Sequence, residues 1–139
     1  MTQAFIGHGG DFEIGSGSPV SYMSIGEVTN ISRSSSSDAI DATHMQSPDG
    51  YREFIAGLAD PGEVTVEFNF IPNSPGYQAL VAAQQARATV PFRVTYPTGS
   101  PATQVLFAGM VTGLDETVPV DDKATGSATI KITGKPQIV

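Results

Sequence analysis

The sequence predicts a mainly β fold: a β-sandwich or partly closed barrel with one flanking α-helix and a long polar loop. Three observations carry this reading. Fifteen Gly and ten Pro are scattered through 139 residues, as expected where turns separate many short strands. Three stretches alternate apolar and polar residues with the two-residue period of a strand that has one face buried. A single segment combines a helix-start signal with apolar residues at helical spacing. The length suits one domain, residues 1–139, able to bury a core without disulfides or metals.

The elements follow in chain order. Ala4–Gly7 predicts a short strand, and "HGGD", His8 to Asp11, a turn. "SYMSIGEVTNISR" predicts a strand region with Tyr22, Met23, Ile25, Val28 and Ile31 as its apolar members, and Gly26 marks a bulge. The run Ser32–Asp38 predicts a mobile loop. Residues 38–62 show no clean period and predict a long interaction loop, within which "YREFIAGL" could form a helical turn or a leaning strand. "EVTVEFNFI" is the clearest strand, with Val64, Val66, Phe68 and Phe70 inward. A helix is expected over 75–88, capped by Ser74 and opened by Pro75, with Tyr77, Leu80, Val81 and Gln84 on its inner face. Val90, Phe92, Val94 and Tyr96 alternate in the next strand. "QVLFAGMVTGL" is apolar on both faces, so both should be covered. After an acidic link, "SATIKITGK" closes the fold with Ala128, Ile130 and Ile132 inward.

Composition limits the function classes. Charged residues make up 15%, against about 25% in an average domain, and such a surface suits burial against further copies. Seven Lys+Arg against 14 Asp+Glu give a net charge of -7, which argues against gripping nucleic acid by its phosphates and against adhesion to anionic membranes. There is no cysteine, hence no disulfide framework and no thiolate metal site, in keeping with a reducing cytoplasm. The N-terminus lacks the basic-then-apolar pattern of a signal peptide, and no apolar run approaches the ~18 residues of a membrane span.

Candidate chemistry is sparse. His8 and His44 are the only histidines, too few to anchor a histidine metal site. Asp41 and His44 suggest an acid–base pair, but no G-x-S-x-G elbow accompanies them, so a hydrogen-bonded structural His is the stronger reading. Asp121 and Asp122 diverge in a turn and make a poor cation cage. Tyr51, Arg52, Glu53 and Phe54 are residue types that interfaces favour or pair across. A structureless loop of this length is uncommon unless functional, which favours an interaction arm. No catalytic, metal or cofactor residue is expected.

The blocks "IDATHMQSPDGYREFIAGLADPGEVTVEFNF", "LFAGMVTGLDETVPVDDKATGSATIKITGKP" and "FIGHGGDFEIG" resemble the tail tube (major tail) proteins of long-tailed, lambda-like bacteriophages over nearly the whole chain. The resemblance implies a β-sandwich with one helix, akin to type VI secretion tube subunits, which form hexameric rings stacked into a genome-delivery channel. It implies that 38–62 is a contact arm, with Asp41, His44, Tyr51, Arg52, Glu53, Phe54 and Asp60 meeting neighbouring subunits or rings. The implied partners are further copies, a tape-measure protein, a tip or baseplate initiator and a terminator, while viral DNA passes without specific binding. The place is the virion tail, after assembly in the host cytoplasm. The extra immunoglobulin-like domain of some members is not expected, because the chain ends at Val139. A bacterial secretion-type tube protein is the alternative.

Overall fold

A computed structural model describes residues 7–17, 19–98 and 102–139. Residues 4–6 of the short strand expected at the N-terminus lie outside that range. Among the described residues seven strands form one antiparallel sheet: β1 (Asp11–Ser16), β2 (Ser21–Ser24), β3 (Val28–Asp41), β4 (Phe54–Asn69), β5 (Val90–Tyr96), β6 (Thr103–Thr117) and β7 (Thr125–Ile138). Their order across the sheet is β2-β1-β5-β6-β7-β4-β3, so β2 and β3 are its two edges. The sheet is not closed by hydrogen bonds but folds over a single core.

That core joins side chains from both ends of the strand order. Phe12 and Ile14 of β1, Phe92 and Val94 of β5, Val64, Val66 and Phe68 of β4 and Ala128, Ile130 and Ile132 of β7 are buried in one cluster. Three phenylalanines meet at its centre: Phe12, Phe92 and Phe107, with ring centroids 5.5–6.2 Å apart, within the range in which aromatic pairs add to burial. The two-residue period of 64–68, 92–94 and 128–132 thus reports the face it was expected to report. Strand β1 was not anticipated. Its apolar positions are only Phe12 and Ile14, too few to show a period, yet Phe12 is fully buried.

The helix α1 runs Pro75–Ala86 and buries Gly76, Leu80 and Ala83. It is two residues shorter than expected because Arg87 adopts a left-handed conformation (φ 53°) and its N–H bonds to the Gln84 carbonyl, ending the helix. Ser74 occupies the N-cap position, but its hydroxyl makes no capping bond. Gly76 lets the helix approach the chain between β2 and β3, since a Cβ there would lie 2.3 Å from Ile25 Cα. Tyr77, Val81 and Gln84 are only half-buried, and Ala83 takes the inner position instead.

Three further expectations are corrected. Gly26 is not a bulge within one strand. With φ 118° it breaks the chain between β2 and β3. The Ser32–Asp38 run is not a loop but part of β3. The second face of β6 is not covered within the chain: Leu106 is half-buried and Met110 is 41% exposed.

Candidate functional site: the projecting β3–β4 arm

The segment 38–62, expected to be a loop, is mostly strand. β3 and β4 pair along a long antiparallel hairpin, and only the inner part of β4, Glu63–Asn69, also pairs with β7. Residues 36–41 and 54–60 therefore extend beyond the sheet as a two-stranded ribbon.

The base of this arm is a bulge. Between the pairs Ser34↔Glu63 and Ser36↔Asp60, β4 carries Pro61 and Gly62 opposite Ser35 alone. Pro61 lacks an N–H and is tolerated in a strand at such irregularities. Gly62 has φ 85°, and a Cβ on it would lie 1.6 Å from the Ser34 carbonyl oxygen. Asp60 locks the turn: its Oδ1 accepts the Gly62 N–H (2.8 Å), and both carboxylate oxygens accept from Lys131 Nζ (3.2 and 3.3 Å). These contacts, the Gly62 N–H first and Lys131 second, hold the Asp60 carboxyl below its ordinary pKa.

A second bulge lies farther out. Between Ser37↔Ala59 and Ala39↔Ala56, Gly57 and Leu58 oppose Asp38. Leu58 is 89% exposed there, and Ile40, Phe54 and Ile55 are all more than half exposed. Large apolar side chains without cover on this scale are a mark of contact surfaces.

The tip is tied by side chains. Ala42 N–H donates to the Glu53 carbonyl (2.8 Å) and Glu53 N–H donates to Thr43 Oγ1 (2.8 Å). Ser47 Oγ accepts the His44 N–H (2.9 Å) and donates to Glu53 Oε2 (2.7 Å). His44 Nε2 lies 3.2 Å from the same oxygen. Arg52 Nη2 donates to Asp41 Oδ2 at 3.2 Å, and Asp41 Oδ1 accepts the Thr43 N–H. Thr43 chiefly, and Arg52 to a smaller extent, lower the Asp41 pKa. A short 3-10 turn, Pro48–Gly50, closes the tip.

The structure thus gathers Asp41, His44, Arg52 and Glu53 at the tip, with Tyr51 and Phe54 exposed beside them, and places Asp60 apart at the base. His44 faces Glu53, not Asp41. Its Nδ1 accepts the Gln46 N–H (3.2 Å), which leaves Nε2 to donate to Glu53. Both ring nitrogens are engaged, and Ser47 Oγ points to the carboxylate, so the cluster is a staple that shapes a turn. Among the described residues no three His, Asp or Glu side chains converge as a cation site.

An edge ion pair was not anticipated. Glu13 on β1 accepts from Arg93 on β5 in a two-pronged contact (Nε to Oε1, 3.0 Å), and the Arg93 guanidinium lies 4.4 Å from the centre of the Tyr22 ring on β2. This arrangement, which raises the Arg93 pKa chiefly through Glu13, clamps three strands at one end of the sheet. Glu13 and Arg93 are 80 residues apart, so sequence spacing offers no signal.

An open sheet whose two edges are unpaired among the described residues, together with an apolar-tipped arm, defines a protein of the assembly-subunit class, whose surface is completed by other chains. Residues 5–139 match the family described as lambda phage tail tube protein, and the chain belongs to that family. Among solved structures, the tail of an empty gene transfer agent particle, determined by helical refinement with C6 symmetry, superposes with a TM-score of 0.82 at 16% identity, covering 98% of this chain and 99% of that one. The SPP1 tail tube matches with a TM-score of 0.77 at 12% identity over 97% of this chain and 78% of that one. The sheath/tube terminator of an extracellular contractile injection system matches with a TM-score of 0.72 at 11% identity over 98% and 96%. At these identities the likeness is one of fold. A comparison with curated proteins found no match.

Proposed function

We propose that this chain is, as a single domain, the repeating structural subunit of a phage tail tube, without catalytic activity. Six copies close a ring by joining the β2 edge of one subunit to the β3 edge of the next. Rings stack through the arm into a channel for the genome. The observation that carries this reading is the pair of edges left open among the described residues, on a sheet whose arm leaves Phe54, Ile55 and Leu58 uncovered. An exposed edge on a free monomer is a template for pairing. A contact that joins unlike surfaces and does not close extends without limit, so one small chain suffices for a tube.

Tube length then needs an outside ruler. A tape-measure protein in the channel, a tip or baseplate initiator and a terminator are the expected partners, in the virion tail and, during assembly, in the host cytoplasm. Baseplate and terminating-cap structures among the neighbours of similar fold support the last two. The net charge of -7 suits a wall along which DNA slides without being held. The contacts assigned to Asp41, His44, Tyr51, Arg52, Glu53, Phe54 and Asp60 are those of the arm with the next subunit or ring.

The second reading, a secretion-type tube protein, is supported by the likeness to an injection-system sheath–tube complex, at a TM-score of 0.65. Capsid and tape-measure genes beside the coding sequence would decide for the phage. Cryo-electron microscopy of concentrated purified protein tests both: stacked sixfold rings are expected, and a strictly monomeric species at every concentration and crowding condition would refute the assembly.

A further inference from the structure

An apolar groove runs between α1 and the strand ends of β1, β2 and β5, walled by Met23, Ala79, Ala82, Ala86, Val90 and Pro91 among others, and none of its lining residues is charged. We propose that this groove receives the arm of a second copy, with Leu58 as the inserted side chain. The proposal rests on the tube-subunit reading and assigns the surface on which the arm lands.

Four observations support this occupant. First, the arm presents the matching chemistry: Leu58 protrudes from its bulge at 89% exposure, with Phe54 and Ile55 nearby. Second, the groove belongs to β1, β2 and β5 at one side of the strand order and the arm to β4 and β3 at the other, so each molecule carries both halves of the contact at different places. Such a pairing of unlike surfaces propagates from copy to copy. Third, the charges are complementary. The arm from 38 to 60 carries Asp38, Asp41, Asp49, Glu53 and Asp60 against Arg52 alone. At the groove, Arg87 follows the helix between Ala86 and Ala88, which both line it, and Arg87 makes no ion pair among the described residues. Fourth, five of the twelve residues lining the groove are alanine and only Ser16 and Thr89 carry a polar side chain, so its small, mostly apolar walls suit a branched aliphatic side chain.

The cysteine-free sequence gives a clean test. A protein carrying Leu58→Cys and Ala86→Cys together is concentrated under assembly conditions and oxidised. Both positions are exposed, so the fold should tolerate the changes. A ladder of covalent dimers, trimers and higher multimers is expected, because each copy donates its arm to one neighbour and its groove to another. A control pairing Leu58→Cys with Val120→Cys, also fully exposed, should give no such ladder. Independently, Ala86→Trp, which fills the groove, should reduce tube yield at least tenfold while leaving the monomer's circular dichroism and Tm unchanged. Tubes that form normally with Ala86→Trp, or that show no Leu58–Ala86 cross-link, overturn the groove assignment and leave the tube reading standing. Dimers that go no further overturn the head-to-tail geometry and with it the proposal. Failure of the unmodified protein to assemble at all would instead sink the tube reading.

Discussion

One methyl group at the base of the arm should separate arm from core. Gly62→Ala places a Cβ 1.6 Å from the Ser34 carbonyl oxygen and 2.6 Å from its carbon. A side chain in the left-handed region costs ~1–2 kcal/mol. The overlap is with backbone, so no rotamer relieves it, and β3 must withdraw from β4 around Ser34–Ser36. Losing about two ladder hydrogen bonds, at ~0.5–1.5 kcal/mol net each, brings the total to roughly 2–5 kcal/mol. The cheapest escape is to release the ribbon, because a lone two-stranded hairpin is only marginally stable and the arm buries few side chains. The core segments 64–68 and 128–132 keep their pairing across β4 and β7. Hydrogen exchange read by mass spectrometry should therefore show amides of 36–41 and 54–60 losing their protection, while those of 64–68 and 128–132 change only a few-fold. Tube assembly should fail in the same sample. An arm that stays as protected as in the unmodified protein would refute the bulge geometry. A collapse of the core strands would refute the independence of the arm.

Three other outcomes are expected. Phe68→Ala removes a side chain that is 2% exposed and packs on Tyr77, so a cavity cost of ~3–5 kcal/mol and a fall in Tm of roughly 10–20 °C should appear in a thermal melt, and near-unchanged stability would mean the inward face of β4 is misassigned. Arg52→Ala cuts only an exposed pair with Asp41, so monomer Tm should move by about 2 °C or less while electron microscopy shows assembly blocked, and normal tubes would remove Arg52 from the contact. Acid should loosen the arm first: Asp41 and Asp60 have folded pKa values below the ordinary 3.8, so their contribution is complete well above 3.8 and is lost as pH falls through and below it. Exchange protection of the arm should drop in that window before the core unfolds, and Asp60→Asn should remove the Asp60 share of the pH dependence.

What the sequence revealed and what it hid divide along one physical line. Alternation is a record of burial. Val64, Val66 and Phe68, or Ala128, Ile130 and Ile132, alternate because one face of each strand meets the core of the same chain. The same backbone continues outward through Phe54–Ala59 as strand, but both of its faces are open to solvent, so no period is imposed on it. Asp60-Pro61-Gly62 deepened the concealment, because turn-forming residues here build a bulge inside a strand and do not end it. The serine run 34–37 is strand for a reason its composition cannot show, namely its pairing with β4. Apolar residues without a period, such as Ile40, Phe54, Ile55 and Leu58, therefore carry information of another kind. On the tube-subunit reading they answer to a surface outside the chain, that of the next copy. The aperiodic segment of such a chain is then the first place to seek its contacts.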